Sequence, residues 1–391
     1  MGAPRSLYLH VPFCSRRCPY CDFAIHVGED QLQERYTKAV LAELSRIATG
    51  ELELDTVYLG GGTPSRLHPR LLGQLLDAIR AHFAVQPGAE VTVEANPEDV
   101  TAELARAWLQ AGVNRLSLGV QSLDDRALAW LGRGHDAAQA ESAVQVARLA
   151  GFENLSCDLI YAVPGQDVGT LERGVRRLMA HGPTHVSCYE LTVEQGTPLQ
   201  RQVRSGRRPA PQVEAFLEQR QMLGEVLGEA GLEMYEVSNY ARPGRRSRHN
   251  LAYWNGLAYL ALGPGAHGFL GAAESAALGL ASEGAALRYW HLRDTATYIR
   301  DVESGASGWR GHEWLGESDL QMERLACGLR LSHGVRLGST GQLNRALELA
   351  EMGLLVVEGR TARATPRGFE VLDRVTLELV SASTPSGRGQ P

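Results

Sequence analysis

The sequence predicts an α/β protein whose first half is a parallel, curved sheet of βα units, and two observations carry that prediction. Six short runs rich in β-branched or aromatic residues, at 6–11, 56–59, 90–95, 115–119, 154–160 and 185–191, alternate with helix-length amphipathic segments. Strands that alternate with helices form crossover units and so lie parallel. The residues able to carry chemistry also fall where such sheets gather ligands, in the loops after the strands.

The elements follow in order. Between the first two runs Leu32, Tyr36, Ala39, Val40 and Leu44 recur at helical spacing, and Leu71, Leu72, Leu75, Leu76 and Ile79 do so in the next gap. Cys14, Cys18 and Cys21 follow run one and Gly60-Gly61-Gly62-Thr63-Pro64 follows run two. Glu94 ends run three, Gln121 follows run four, and Asp158 sits late in run five. All five features are expected on one face.

Beyond run six, residues 200–212 carry Arg201, Arg204, Arg207, Arg208, Pro209 and Pro211, which reads as a linker or surface loop. The expected units are therefore a core at 1–205, a connecting region at 206–310 and a small C-terminal unit at 311–380. The connecting region holds a helix with Phe216, Leu217, Leu223, Val226 and Leu227 on one side, then a strand at 234–237. In the last unit, helical patterns lead through 343–355 to a hairpin at 356–360 and a helix at 369–379, a winged-helix-like α+β pattern. The Ser-, Gly- and Pro-rich 381–391 is expected to be disordered.

Composition narrows the class. Of 391 residues 44% are hydrophobic and 21% charged, which fits a globular chain that buries a sizeable core. The net charge of -6 speaks against bulk phosphate attraction, and arginines 345, 360, 363, 367 and 374 alternate with acids, so no nucleic-acid partner is expected. Residues 1–13 lack a signal-peptide run, and the apolar stretch 257–281 is broken by Gly263, Pro264, Gly265, His267 and Glu274. A cytoplasmic protein with at most peripheral membrane contact is the expectation. The isolated Cys157, Cys188 and Cys327 read as buried core thiols.

The clustered cysteines stand at spacings of four and three, with Phe13, Tyr20 and Phe23 interleaved. Iron–sulfur clusters usually take four thiolates, and closed structural zinc sites also take four ligands. Three thiolates leave one metal corner open, as a reactive centre requires. A zinc loop completed by His10 or His26, or simply three free thiols, is the competing reading.

The run from Tyr8 to Cys14, continued by Cys18, Tyr20 and Cys21, resembles the cluster loop of radical S-adenosylmethionine (SAM) proteins, specifically the oxygen-independent coproporphyrinogen oxidase group. The resemblance implies a partial (β/α)6 barrel, a 4Fe-4S cluster on Cys14, Cys18 and Cys21, and SAM chelated to the open iron, ready for reductive cleavage of its C–S bond. Matching positions imply SAM contacts from Tyr8, Tyr20, Gly61, Gly62, Thr63, Glu94, Gln121, Arg133, Asp158 and, more loosely, Thr192.

Two departures point away from oxidative decarboxylation of coproporphyrinogen. The oxidase loop has a further cysteine where this chain has Phe23, and only seven residues precede Tyr8 where the oxidase has a long extension. The stretch from Arg248 to Trp254 instead resembles the His-Asn-x-x-Tyr-Trp motif of the HemW heme chaperones. That resemblance implies heme bound through His249, Asn250, Tyr253 and Trp254, with His249 the candidate axial ligand and His267 the next. Arg242, Arg245, Arg246 and Arg248 stand ready to clamp propionates or an acidic partner. The implied partners are heme and apo-haem proteins of the respiratory chain, with the cluster available to support a homodimer. The alternative function is a radical SAM enzyme of porphyrin metabolism.

Overall fold

The computed structural model describes residues 5–28, 31–47, 52–278, 280 and 283–382, so the expected disordered tail lies outside it from residue 383 onward. All six expected runs are strands: β1 (Ser6–Val11), β2 (Glu53–Gly61), β3 (Ala84–Ala95), β4 (Arg115–Gln121), β5 (Asn154–Tyr161) and β6 (His185–Glu190). Each pairs in parallel with the next. Between them run α1 (Gln31–Ile47), α2 (Pro69–His82), α3 (Ala102–Gln110), α4 (Ala137–Ala150) and α5 (Val168–Ala180).

Strand alternation divides the sheet into two chemically distinct faces. Leu7, Leu9, Val57, Leu59, Val93, Leu116 and Leu155 are buried with Leu44 and Leu72 of the flanking helices in one apolar core. The opposite face carries Tyr8, Tyr58, Thr92 and Arg115, which are register neighbours across four strands. That face is polar because a partial barrel turns it inward, toward ligands and buried hydrogen bonds.

Of the sheet's outer strands, sequence reasoning expected only one, at 234–237, and missed the other two. The sheet has nine strands, extended by Leu260–Leu262 parallel to β1 and by Asn239–Ala241 antiparallel to β6, with Glu233–Met234 outermost. Strands of two or three residues are too short to show a period. The stretch expected to be a linker also opens as a helix, Pro198–Arg204, because Thr197 caps it, accepting a hydrogen bond from the Gln200 N–H, and Pro198 fits the first turn.

An antiparallel sheet of His267–Gly271, Ala286–His291 and Trp309–Leu315 follows. The C-terminal unit matches its expected winged-helix-like pattern. The hairpin of Leu355–Glu358 and Thr361–Ala364 packs with the helices Glu317–Gly328, Thr340–Glu351 and Leu372–Ser381. Its separate core includes Leu329, Leu349, Phe369 and Leu379.

Candidate functional site

The carboxyl ends of the six strands open into a cavity of about 510 Å³. Cys14, Cys18, Cys21, Tyr20, Gly61, Gly62, Thr63, Glu94, Gln121, Arg133, Asp158 and Thr192 all line it. Tyr8 does not: its ring lies deeper in the barrel against Tyr58, and its hydroxyl meets His10 Nδ1 at 3.1 Å.

Local sequence explains the shape of the wall. The glycine turn after β2 must pass beside the cysteine loop, and Gly61 takes φ 108°, a left-handed conformation open to glycine. A Cβ there would stand 2.3 Å from the His10 ring, and one at Gly62 would stand 2.6 Å from the Pro12 carbonyl carbon. Gln121 also has positive φ, 63°, a strained conformation held at the very end of β4 where the chain turns into the cavity.

The polar groups form a connected frame. Thr63 Oγ1 lies 3.4 Å from Cys14 Sγ and accepts from Asn96 Nδ2 at 3.3 Å. Arg133 donates to Asn96 Oδ1 and to the Gly119 carbonyl at 3.2 Å, and approaches Cys18 Sγ at 3.7 Å. Its Nε, although buried, has no protein partner among the described residues, which leaves a donor for a ligand. Asp158 accepts from Ser117 Oγ at 3.2 Å. Burial raises the Asp158 carboxyl above its usual range and pushes Glu94 up to about 7. Two desolvated carboxylates in one cavity favour a ligand that brings positive charge or hydroxyl donors.

Asn96 and Tyr58 belong to this frame although the sequence did not single them out for a role. Asn96 lies two residues beyond Glu94 and Tyr58 two before Gly60, so strand alternation from the recognised residues was the signal that could have found them.

The His-Asn-x-x-Tyr-Trp stretch lies at the other end of the barrel. It forms the helix Arg248–Trp254, capped by Ser247, whose Oγ accepts from the Asn250 N–H. Glu90, at the start of the barrel portion of β3, accepts from the backbone N–H of Arg248 and His249 at 3.1 Å each. His249 Nδ1 bonds Thr56 Oγ1, which stands five residues before Gly61, roughly 16 Å along the strand.

The His249 side chain, expected as an axial ligand, sits in the protein interior. The ring is 1% exposed, with Nδ1 at 2.8 Å from Thr56 Oγ1 and Nε2 at 2.7 Å from the Tyr253 hydroxyl. An axial ligand needs a free nitrogen lone pair facing open space, and here both nitrogens are engaged in the protein interior. Burial, with Arg115 nearby, pushes its pKa down to about 3, so it stays neutral. Asn250 serves the cap through its backbone. Of the four, Tyr253 and Trp254 line a second cavity of about 180 Å³. His267 is exposed, with its ring stacked on Trp290. The arginines are drawn into local contacts, Arg245 to Glu153 at 3.2 Å, Arg246 to Glu233 at 3.6 Å and Arg248 to the Gly88 carbonyl at 2.8 Å.

Comparison with known proteins places this architecture. The Radical SAM superfamily model matches residues 8–178. A heme chaperone HemW of Mycobacterium tuberculosis is 38% identical over 388 residues, covering 97% of this chain and 95% of its own. The chain belongs to the HemW family of radical SAM proteins. A second HemW, from Lactococcus lactis, is 32% identical with coverage of 95% and 96%, and a mitochondrial radical SAM domain-containing protein 1 of Bos taurus is 36% identical with coverage of 97% and 88%. Among solved structures, coproporphyrinogen III oxidase (HemN) of Escherichia coli superposes with TM-score 0.81 at 20% identity over 97% of this chain and 90% of its own, a likeness of fold.

Membership of this superfamily implies a 4Fe-4S cluster and SAM, and the residues fit them. The three thiols are free and share one cavity. Among the described residues no trio of His, Cys, Asp or Glu is arranged to hold a single metal ion. A cubane differs, because each thiolate binds its own iron and the sulfurs stand further apart. The zinc alternative also loses its fourth ligand in His10, which is 3% exposed and bonded at both nitrogens, to Tyr8 and to the Ala24 carbonyl. No helix among the described residues is long and apolar enough to cross a membrane.

Proposed function

We propose that this HemW-family protein is a heme chaperone that binds heme and passes it to apo-haem proteins of the respiratory chain, while carrying a 4Fe-4S cluster and SAM. The observation that carries the reading is full-length relatedness to proteins named heme chaperone HemW, at 38% identity over 97% of the chain. Cys14, Cys18 and Cys21 hold the cluster in this reading. When bound, the cluster supplies an open iron that anchors SAM and an electron for reductive chemistry.

The chain's own residues shape the SAM site. Burial pushes the Cys14 thiol up to about 11 in the metal-free protein, so metal loading releases its proton. Gly61 and Gly62 admit the methionine portion closely because any side chain there would strike His10 or Pro12. Glu94 and Asp158 face the positive charge and hydroxyls of SAM, Arg133 aims its orphaned Nε at an acceptor, and Tyr20, Gln121 and Thr192 close the rim. Phe23, 62% exposed, occupies the rim where the oxidase loop has its additional cysteine.

The test uses one anaerobically reconstituted preparation for heme titration, heme transfer to an apo-cytochrome, and coproporphyrinogen decarboxylation. Stoichiometric heme binding and transfer without decarboxylation supports the chaperone. Decarboxylation without heme binding overturns it in favour of a porphyrin-modifying radical enzyme.

A further inference from the structure

Among the described residues two that are not glycine have positive φ, Gln121 at 63° and Ala162 at 61°, and one buried network joins them. They stand at the carboxyl ends of the neighbouring strands β4 and β5. The Ser122 N–H donates to the Val120 carbonyl at 2.8 Å, so Gln121 is the centre of a γ-turn in its rare, strained form. The turn folds the Gln121 side chain back along the cavity wall. A Cβ on Gly119 there would stand 2.9 Å from Gln121 Nε2 and 3.3 Å from Arg133 Nη2.

Strain of this kind persists only where the surroundings over-determine it, and here both flanks of the turn are held. The Val120 carbonyl also meets Nε2 of the buried His135 at 3.0 Å. On the other flank Ser122 Oγ accepts from Gln166 Nε2 at 3.0 Å. The Gln166 carbonyl accepts from Gln219 Nε2 at 2.7 Å, and Gln219 Oε1 accepts from the Ala162 N–H at 2.7 Å. Ser122, Gln166 and Gln219 are all buried. Gln219 belongs to the helix Val213–Glu229, beyond the residues 8–178 matched by the superfamily model, so part of the support reaches the turn from outside that core.

We propose that Gln166 and Gln219 are positioning residues for SAM, holding the γ-turn so that the Gln121 amide stays at the cavity wall beside Arg133. The inference rests on Gln121 meeting SAM and deepens that reading. Neither Gln166 nor Gln219 lines the cavity, so each acts through the turn. Without the Gln166 donor the Ser122 hydroxyl loses a buried partner, the turn relaxes toward negative φ, and the Gln121 amide withdraws from the wall.

The test is a double-mutant cycle on the full-length, cluster-loaded protein, read by equilibrium binding of SAM, with cluster absorbance and melting temperature measured on every variant. Gln166→Ala should weaken SAM roughly tenfold and Gln219→Leu roughly threefold or more, each at full cluster absorbance. In a Gln121→Ala background, Gln166→Ala should weaken SAM by less than about a further twofold, because the side chain it acts through is gone. A residue that only supports the fold would weaken both backgrounds alike. Where Gln166→Ala does not fold, Ser122→Ala removes the same hydrogen bond and enters the same cycle. Additive losses, or wild-type SAM affinity in Gln166→Ala, overturn the proposal while leaving Gln121 as a SAM contact. Wild-type affinity in Gln121→Ala removes that contact, and the proposal with it.

Discussion

Tyr58 donates its hydroxyl hydrogen to Glu94 Oε1 at 2.7 Å while its ring stacks on His249 at 5.0 Å. One side chain thus joins the carboxylate at the top of the barrel to the imidazole that plugs its lower end. Glu94 Oε2 is held by the Gly61 N–H at 3.0 Å, so the same carboxylate also pins the glycine turn. Even with both donors, burial prevails and raises its pKa to about 7.

That raised pKa fixes a pH dependence. The unfolded carboxyl titrates near 4.5 and the folded one near 7, so ionising it in the folded, ligand-free protein opposes folding. Stability is full below pH 4.5 and falls as pH rises toward 7. Glu94→Gln removes the charge but forfeits some hydrogen bonding, so we expect it to stabilise the cluster-free protein by about 1–2 kcal/mol at pH 8 and to leave it unchanged or weaker at pH 5. Urea denaturation at the two pH values measures this, and equal differences at both would refute the account. SAM, which brings compensating positive charge, should bind wild type more tightly at pH 8 than at pH 6.

His249→Ala should act on stability before it acts on heme. Removing the ring strands the Thr56 and Tyr253 hydroxyls and opens a void beneath Tyr58, a loss of about 2–4 kcal/mol. Thermal denaturation with parallel heme titration separates the roles. An undiminished melting temperature with lost heme binding would instead support the axial-ligand role.

The sequence made the six barrel strands legible because each is bounded by turn residues and alternates with an amphipathic helix. It also located the cavity residues, since Cys14, Gly61, Glu94 and Asp158 all fall in or just beyond the carboxyl halves of strands, where topology alone brings them together. It failed where contact depends on partners distant in the chain. Nothing near His249 signals that Thr56 occupies its Nδ1, and nothing near Cys327 signals that Trp254 lies across the same cavity. The strand expected at 234–237 is only Glu233–Met234, because its pairing with Asn239–Ala241 decides its bounds and its own pattern does not.

The thiols should sort by burial. Cys157 and Cys188 are fully buried and their pKa values are raised by burial, so thiol reagents should leave them untouched in the folded protein. Cys14→Ala, Cys18→Ala or Cys21→Ala should each abolish the roughly stoichiometric cluster absorbance after reconstitution, whereas Cys157→Ala and Cys188→Ala should retain it. Retention of a full cluster in any of the first three variants would break the assignment of ligands.

Burial also decides which ion pairs matter for the attachment of α1 to the region beyond residue 260. Glu43 of α1 is buried and accepts from His291 Nε2 at 2.7 Å and from the Tyr298 hydroxyl at 2.6 Å. Arg35, on the same helix, pairs with Glu303 at the same 2.7 Å, but both side chains are more than 40% exposed. Distance alone would rank them equal. Glu43→Ala leaves two buried donors unsatisfied and should lower unfolding free energy by about 3 kcal/mol, while Glu303→Ala, at a solvent-screened pair, should leave it nearly unchanged. Glu43→Gln keeps an acceptor and should fall between. Denaturant titration of the three variants decides the matter, and equal losses at Glu43 and Glu303 would mean that the buried cluster is not what holds α1 to this region.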